Sequence, residues 1–284
     1  MQRTILSSDD GLVSGVLVEP ERADDRLPFL ACIHGGGCNG RYFDLKGSSL
    51  AKAAHGRGFA TLLLNRPGYG GNRALPGAFP IRETAPLIRD FIERCRSEHA
   101  PNSNGAALIG HSIGGAIALT IAAERGDWPL RSVAVSGIGD QSPPHFRSLS
   151  GAEGETIEPP SELGDALFFD PERSLKWQPL ASLRAAAEPW LVSELNEVLD
   201  RWPFEWRDVA ARIDVPVHFR LAEHERVWMG GPAVVERMAA AFERSRRVDA
   251  AILPGGGHLF EASRGGPDFI ASQLDFIAAS AGRG

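Results

Sequence analysis

Near the middle of the chain, Gly110-His111-Ser112-Ile113-Gly114 and then Gly115 set one hydroxyl among glycines. An apolar run at 106–109 precedes this stretch, and apolar residues at helical spacing follow it. A serine on a sharp strand-to-helix turn adopts strained dihedrals. Flanking side chains would collide there with the neighbouring strand and helix, and glycines remove those collisions. The turn lifts the Ser112 hydroxyl clear of a sheet, at the positive end of the following helix. The chemistry this predicts is nucleophilic attack by Ser112.

A serine hydroxyl needs a base, and the base needs a group to orient it. Pro254-Gly255-Gly256-Gly257-His258 directly follows the last predicted strand, and its glycines let the imidazole of His258 reach back over a sheet edge. His111 belongs to the elbow, His218 lies inside a predicted strand, and His55 and His99 sit in or near helices, so His258 is the expected base. The orienting acid should follow the preceding strand, where Ala222-Glu223-His224-Glu225-Arg226-Val227 offers two carboxylates. Glu225 is the first choice because Val227 beyond it can pin the loop to the core. Glu223 stays open, one residue of register away, and Asp140 is an outside candidate.

Acyl transfer also needs donors for an oxyanion. His34-Gly35-Gly36-Gly37-Cys38-Asn39-Gly40 follows the predicted strand at 29–33. Backbone N–H groups of Gly36 or Gly37, with that of Ile113, can point at a developing negative charge. His34 is expected to fix this loop by hydrogen bonding and Cys38 to fill space; both border the expected substrate site. The same loop contains a G-x-G-x-x-G pattern (Gly35, Gly37, Gly40), but the next strand ends Leu64-Asn65-Arg66-Pro67-Gly68 without the acid a ribose site needs. No dinucleotide or other cofactor is therefore expected. No H-E-x-x-H or paired C-x-x-C occurs, and no metal site is expected.

These residues must be positioned by a scaffold. Strands are predicted at 12–18, 29–33, 60–64, 106–109, 132–135, 217–221 and 250–253, and helices at 48–54, 81–97, 113–125, 233–244 and 267–279. Continuous apolar strands alternating with helices predict an α/β fold: a parallel sheet covered on both faces, with chemistry at the carboxyl ends of its strands. Residues 140–209 break the alternation and hold Trp177, Trp190, Trp202 and Trp206, four of the chain's six tryptophans. The segment reads as a helical lid over an apolar space, with Trp177, Trp202 and Trp206 expected at the substrate site. The domain division is then a core of 1–139 with 210–284, and a lid of 140–209.

Composition bounds the partners. The 284 residues carry a formal net charge of −6, which supplies no excess of positive charge to displace counterions from nucleic acid. Three cysteines (Cys32, Cys38, Cys95) form no pairing pattern, and the N-terminus lacks an apolar run of signal-peptide length. Neither is there a run of about 20 apolar residues to cross a bilayer. The expectation is a cytoplasmic protein acting on small molecules.

Taken together, these segments resemble the α/β-hydrolase family, in particular its lid-bearing members. His34-Gly35-Gly36-Gly37 is similar to the family's oxyanion loop, and Asn65-Arg66-Pro67-Gly68-Tyr69-Gly70 to its next glycine turn, with Asn65 where many members carry Asp. Ser112, Glu225 and His258 match nucleophile, acid and base in the family's order; Glu in place of the commoner Asp is a departure. The resemblance implies a mainly parallel sheet of about eight strands with the lid after the sixth. It also implies a serine hydrolase forming a covalent acyl-enzyme on a small, mostly apolar carboxylic ester. Thioester, lactone or carbon–carbon bond cleavage is the alternative, and a non-hydrolytic small-molecule receptor is the alternative from another class.

Overall fold

Strands whose every residue is apolar or small can only be satisfied by burial on both faces, and this sheet is built from several. A computed structural model describes residues 1–72, 79–124, 126–144, 155–158 and 180–282. Its main sheet comprises β1 (Gln2–Ser7), β2 (Ser14–Glu19), β3 (Phe29–Ile33), β4 (Thr61–Asn65), β5 (Ala106–His111), β6 (Leu130–Ser136), β7 (Val217–Ala222) and β8 (Val248–Leu253). The eight lie in the order β1-β2-β4-β3-β5-β6-β7-β8. β1 and β2 run antiparallel to their neighbours, and all pairings from β4 to β8 are parallel.

The pleat sorts the apolar residues onto two faces. Phe29, Ala31 and Ile33 enter one core cluster, together with residues of α2 (Ile81–His99) and α3 (Ile113–Ala123). Leu30 and Cys32 enter the other, with residues of α1 (Leu50–Gly56) and of the C-terminal helix Gly266–Ala281. Between β6 and β7 the described residues form three helices: α4 (Leu180–Ala186), α5 (Val192–Asp200) and α6 (Trp202–Arg212). After β7 come α7 (Pro232–Ala240) and α8 (Gly266–Ala281). The seven predicted strands and five predicted helices all have counterparts here, with ends displaced by a few residues.

β1 was not among the predicted strands. Its sequence QRTILS is polar, and its residues are exposed or half-buried. It is a strand because all six residues pair with β2, from Gln2↔Glu19 to Ser7↔Ser14. That is a tertiary cause, which its own pattern does not carry.

The strand order determines where loops meet. The chain passes from β3 to β4 on one side, then returns to β5 on the other side of β3. The loops after β3 and β5 therefore emerge side by side at a switch point, where a crevice forms at the carboxyl edge. The pair Ile33↔Gly110 puts His34 beside His111 and Ser112, and Ala222↔Leu253 brings the loops after β7 and β8 together.

Candidate active site

Ser112 links β5 directly to α3 at φ 53° and ψ −124°, the one non-glycine at positive φ among the described residues. The carbonyl of Ser136 accepts from its N–H at 2.8 Å, and its own carbonyl accepts from Gly115 N–H at 2.7 Å. A Cβ at Gly110 would stand 2.5 Å from the Gly114 carbonyl oxygen and 2.7 Å from Gly115 Cα. One at Gly114 would overlap the carbonyl oxygens of Ile33 and His34. The glycines thus let β3, β5 and α3 close on each other around a strained serine. As the first helical residue, Ile113 has an N–H without an intrahelical acceptor.

The loop after β8 turns at Gly255 (φ 72°) and buries His258. His258 Nδ1 lies 2.9 Å from Glu225 Oε1 and 3.0 Å from Oε2. A carboxylate accepts only, so the Nδ1 hydrogen of His258 is the donor to Glu225. Glu225 Oε1 also accepts from the Val227 N–H at 2.9 Å, and Val227 is buried as the loop's anchor. Burial pushes the Glu225 carboxyl up, but facing His258, with its hydrogen bond and the Val227 N–H, more than reverses this and holds it below the ordinary carboxylate range. The other two carboxylates are engaged elsewhere. Glu223 Oε2 accepts from Gly255 N–H at 2.8 Å, and Asp140 Oδ2 from Arg237 Nε at 2.6 Å. The His258 ring centroid is 5.0 Å from that of His111, the residue leading into Ser112.

The loop after β3 lies against the elbow: a Cβ at Gly35 would come 3.0 Å from Ser112 Cβ, and one at Gly36 would come 2.9 Å from Ile113 Cδ1. Gly37, at φ 70°, directs its N–H to Tyr69 Oη at 3.5 Å. Gly36 has no such acceptor among the described residues. His34 is fully buried, its Nδ1 2.8 Å from the Gly35 carbonyl and its Nε2 accepting from Arg66 N–H at 3.3 Å. Burial, then the Arg66 charge, holds His34 neutral, with its pKa well below the ordinary histidine value. Cys38 Sγ donates to the Gly35 carbonyl at 3.4 Å, and burial pushes its thiol up to about 12. A thiol held protonated in this way is a poor nucleophile, since the thiolate is what reacts.

A family model described as "Alpha/beta hydrolase family" matches residues 30–271. The chain belongs to the α/β-hydrolase family. No curated protein sequence matches it. Similar solved structures include a thermostable carboxyl esterase from Bacillus coagulans in complex with glycerol, at 18% identity over 99% of this chain and 98% of that one, TM-score 0.74. A monoacylglycerol lipase from Paleococcus ferrophilus shares 18% identity over 98% of each chain, TM-score 0.65. The thioesterase domain from the curacin biosynthetic pathway shares 15% identity over 98% and 99%, TM-score 0.62. At these identities the likeness is one of fold.

Behind the elbow, this α/β-hydrolase carries a buried polar cluster that sequence reading passed over. The His111 ring stacks on Tyr42 at 4.8 Å, and its Nδ1 is 3.1 Å from Ser136 Oγ. Ser136 Oγ donates to Glu261 Oε1 at 2.8 Å, and Tyr42 Oη donates to Glu261 Oε2 at 2.6 Å. Burial holds the Glu261 carboxyl above its ordinary range against those two donors, and it holds the His111 imidazole well below its own. The signal was present: Leu259-Phe260-Glu261-Ala262 sets a lone carboxylate in an apolar turn three residues past His258.

Trp202 and Trp206 are buried in the larger core cluster, and Trp202 Nε1 donates to the Gly139 carbonyl at 2.9 Å. Trp177 lies outside the described residues. Trp190, not singled out from sequence for the site, lies against the loop after β3: a Cβ at Gly37 would overlap its ring. Among the described residues no helix is long and apolar enough to cross a membrane, and no group of three or more His, Cys, Asp or Glu could hold a metal ion.

Proposed function

We propose that this α/β-hydrolase is a serine hydrolase that cleaves a small, mostly apolar carboxylic ester through a covalent acyl-enzyme. Ser112 Oγ attacks the carbonyl carbon while His258 Nε2 takes its proton, and Glu225 steadies the imidazolium that forms. The N–H groups of Gly36 and Ile113 receive the oxyanion. On collapse the alcohol leaves with the proton from His258; water then attacks the acyl-enzyme by the same route and frees the acid. Gly36 is preferred to Gly37 because the Gly37 N–H is already directed at Tyr69.

The observation that carries the reading is the pairing of Glu225 with His258 Nδ1 at 2.9 Å on a loop beside a positive-φ serine. A structural histidine has no need of a buried carboxylate at Nδ1, and a structural turn has no need of strain at Ser112. Residues 140–209 are read as a lid, with Trp190, which lies against the loop after β3, bordering the acyl site. The net charge of −6 and three unpaired thiols suit a small-molecule enzyme of a reducing compartment.

The deciding experiment compares wild type with Ser112→Ala on activated acyl esters and on a fluorophosphonate probe. The variant should lose turnover by up to about a millionfold and lose labelling. Turnover retained in Ser112→Ala removes the serine from the mechanism. A thioester and lactone panel run alongside ranks the acyl classes, and tight binding without adduct or product would favour a receptor.

A further inference from the structure

The helix α5 brings a carboxylate, Glu194, to the back of the oxyanion loop. Arg66, Tyr69 and Glu194 are all buried. Glu194 Oε1 accepts from Arg66 Nη1, and Oε2 accepts from Arg66 Nη2 at 3.2 Å and from Tyr69 Oη at 2.9 Å. The rest of the guanidinium faces the loop: Nε donates to the His34 carbonyl and Nη2 to the Gly35 carbonyl, each at 3.0 Å.

The Gly35 carbonyl belongs to the same planar peptide unit as the Gly36 N–H, and in a trans peptide the two point in opposite directions. Whatever holds that oxygen also sets the direction of that hydrogen. Arg66 Nη2, His34 Nδ1 and Cys38 Sγ all converge on it. Rotating this peptide would break the three contacts together. The neighbouring Gly37 N–H is anchored separately on Tyr69 Oη, which also accepts from Leu191 N–H at 3.3 Å and donates to Glu194.

We propose that Glu194 is a positioning residue for the oxyanion donor, acting through Arg66 and Tyr69, so that the Gly36 N–H is aimed only while the segment bearing α5 is seated. The proposal rests on the serine-hydrolase reading above. Burial makes the arrangement specific. A buried guanidinium is tolerated only with its charge matched, and its planar fork can grip a carboxylate and two carbonyls at once, which a lysine could not do. The inserted segment therefore does more than cover the site: it supplies the counter-charge that keeps Arg66 in place.

The test uses activated-ester kinetics and binding of an arylboronic acid, which forms a tetrahedral adduct on a serine and uses the same donors. Glu194→Gln should lower kcat by about 100- to 1000-fold, the range for losing one oxyanion donor, and weaken boronate binding by a similar factor with KM changed less than about threefold. Should that variant fail to fold, the neutral pair Arg66→Met with Glu194→Leu removes both charges together and should fold with the same loss in kcat. A folded variant of either kind with kcat within threefold of wild type overturns the proposal. A third arm needs no variant: boronate bound to wild type should slow amide exchange across α5 more than across α7, since coupling between two sites is reciprocal. Equal changes in both helices overturn it. Failure of the underlying reading is scored separately, as turnover surviving Ser112→Ala or boronate not binding the wild type.

Discussion

Glu225 Oε1 lies 2.9 Å from His258 Nδ1 although the two belong to different loops, after β7 and after β8, and both are buried. The parallel pair Ala222↔Leu253 ends both strands at one level, so the two loops begin as neighbours. Glu225→Gln should leave the fold intact and reduce kcat by about 10³- to 10⁴-fold, because an amide can offer its N–H to Nδ1 and favour the wrong imidazole tautomer. Glu223→Gln should stay within about twofold of wild type, since that carboxylate accepts from Gly255 N–H instead. Steady-state kinetics on one activated ester checks both, and an equal loss in the two variants would contradict the assignment of Glu225 as the acid.

Two glycines, one at the elbow and one at the end of α1, predict opposite signs of stability change. Gly114→Ala puts a Cβ onto the carbonyl oxygens of Ile33 and His34, both backbone atoms in the packed centre, and should destabilise by about 3 kcal/mol or more. Gly56, the last residue of α1, has open space where its Cβ would go, so Gly56→Ala should stabilise by about 0.4–1 kcal/mol. Urea denaturation of the two variants tests this directly, and a stable Gly114→Ala would contradict the close packing of β3 on α3.

Acid should destabilise the protein through its buried imidazoles. Burial holds His34 and His111 well below the ordinary histidine value of 6.5 and brings His218 down to about 3. A depressed histidine pKa means that the unfolded chain takes up a proton the native state refuses. The stability these groups contribute is therefore complete above about pH 6.5 and is lost as pH falls below it. Each contributes a slope of up to about 1.4 kcal/mol per pH unit. Glu225, held low, adds a loss in the same direction below about 4.5. Glu261, held high, works oppositely, favouring the fold below 4.5 and losing that contribution as pH rises through its folded value.

His218 offers the cleanest check on this account. Both of its ring nitrogens are buried without a hydrogen-bond partner, beside Phe276 at 5.3 Å and Phe269 at 6.2 Å between ring centroids. His218→Leu should be neutral or stabilising at pH 7.5, because an unpartnered polar group gives way to an apolar one of similar size. It should also flatten the loss between pH 6.5 and 5, measured by urea denaturation across that range. An unchanged slope would show that His218 is not one of the groups responsible.

Much of this protein could be read without coordinates, for local physical reasons. Ser112 is visible because an elbow needs glycines on both sides, and those glycines are adjacent in sequence. His258 is visible because a glycine-rich loop directly after an apolar strand has few other uses. The buried strands announce themselves by unbroken apolar runs. What sequence could not decide was every relationship between distant segments. Whether Glu223 or Glu225 meets His258 depends on one residue of loop register, set by Val227 entering the core. Whether Gly36 or Gly37 offers a free N–H depends on Tyr69, more than thirty residues further along. β1 is a strand only because β2 pairs with it. The carboxylate Glu194 looks like a surface charge in the linear chain, and the apolar turn around Glu261 hints at burial without naming a partner; only folding assigns the two carboxylates Arg66, Tyr69, Tyr42 and Ser136. Residue type and spacing determined which chemistry the chain could propose, and packing decided which atoms lie close together, because contact and desolvation belong to the folded shape and not to the order of residues.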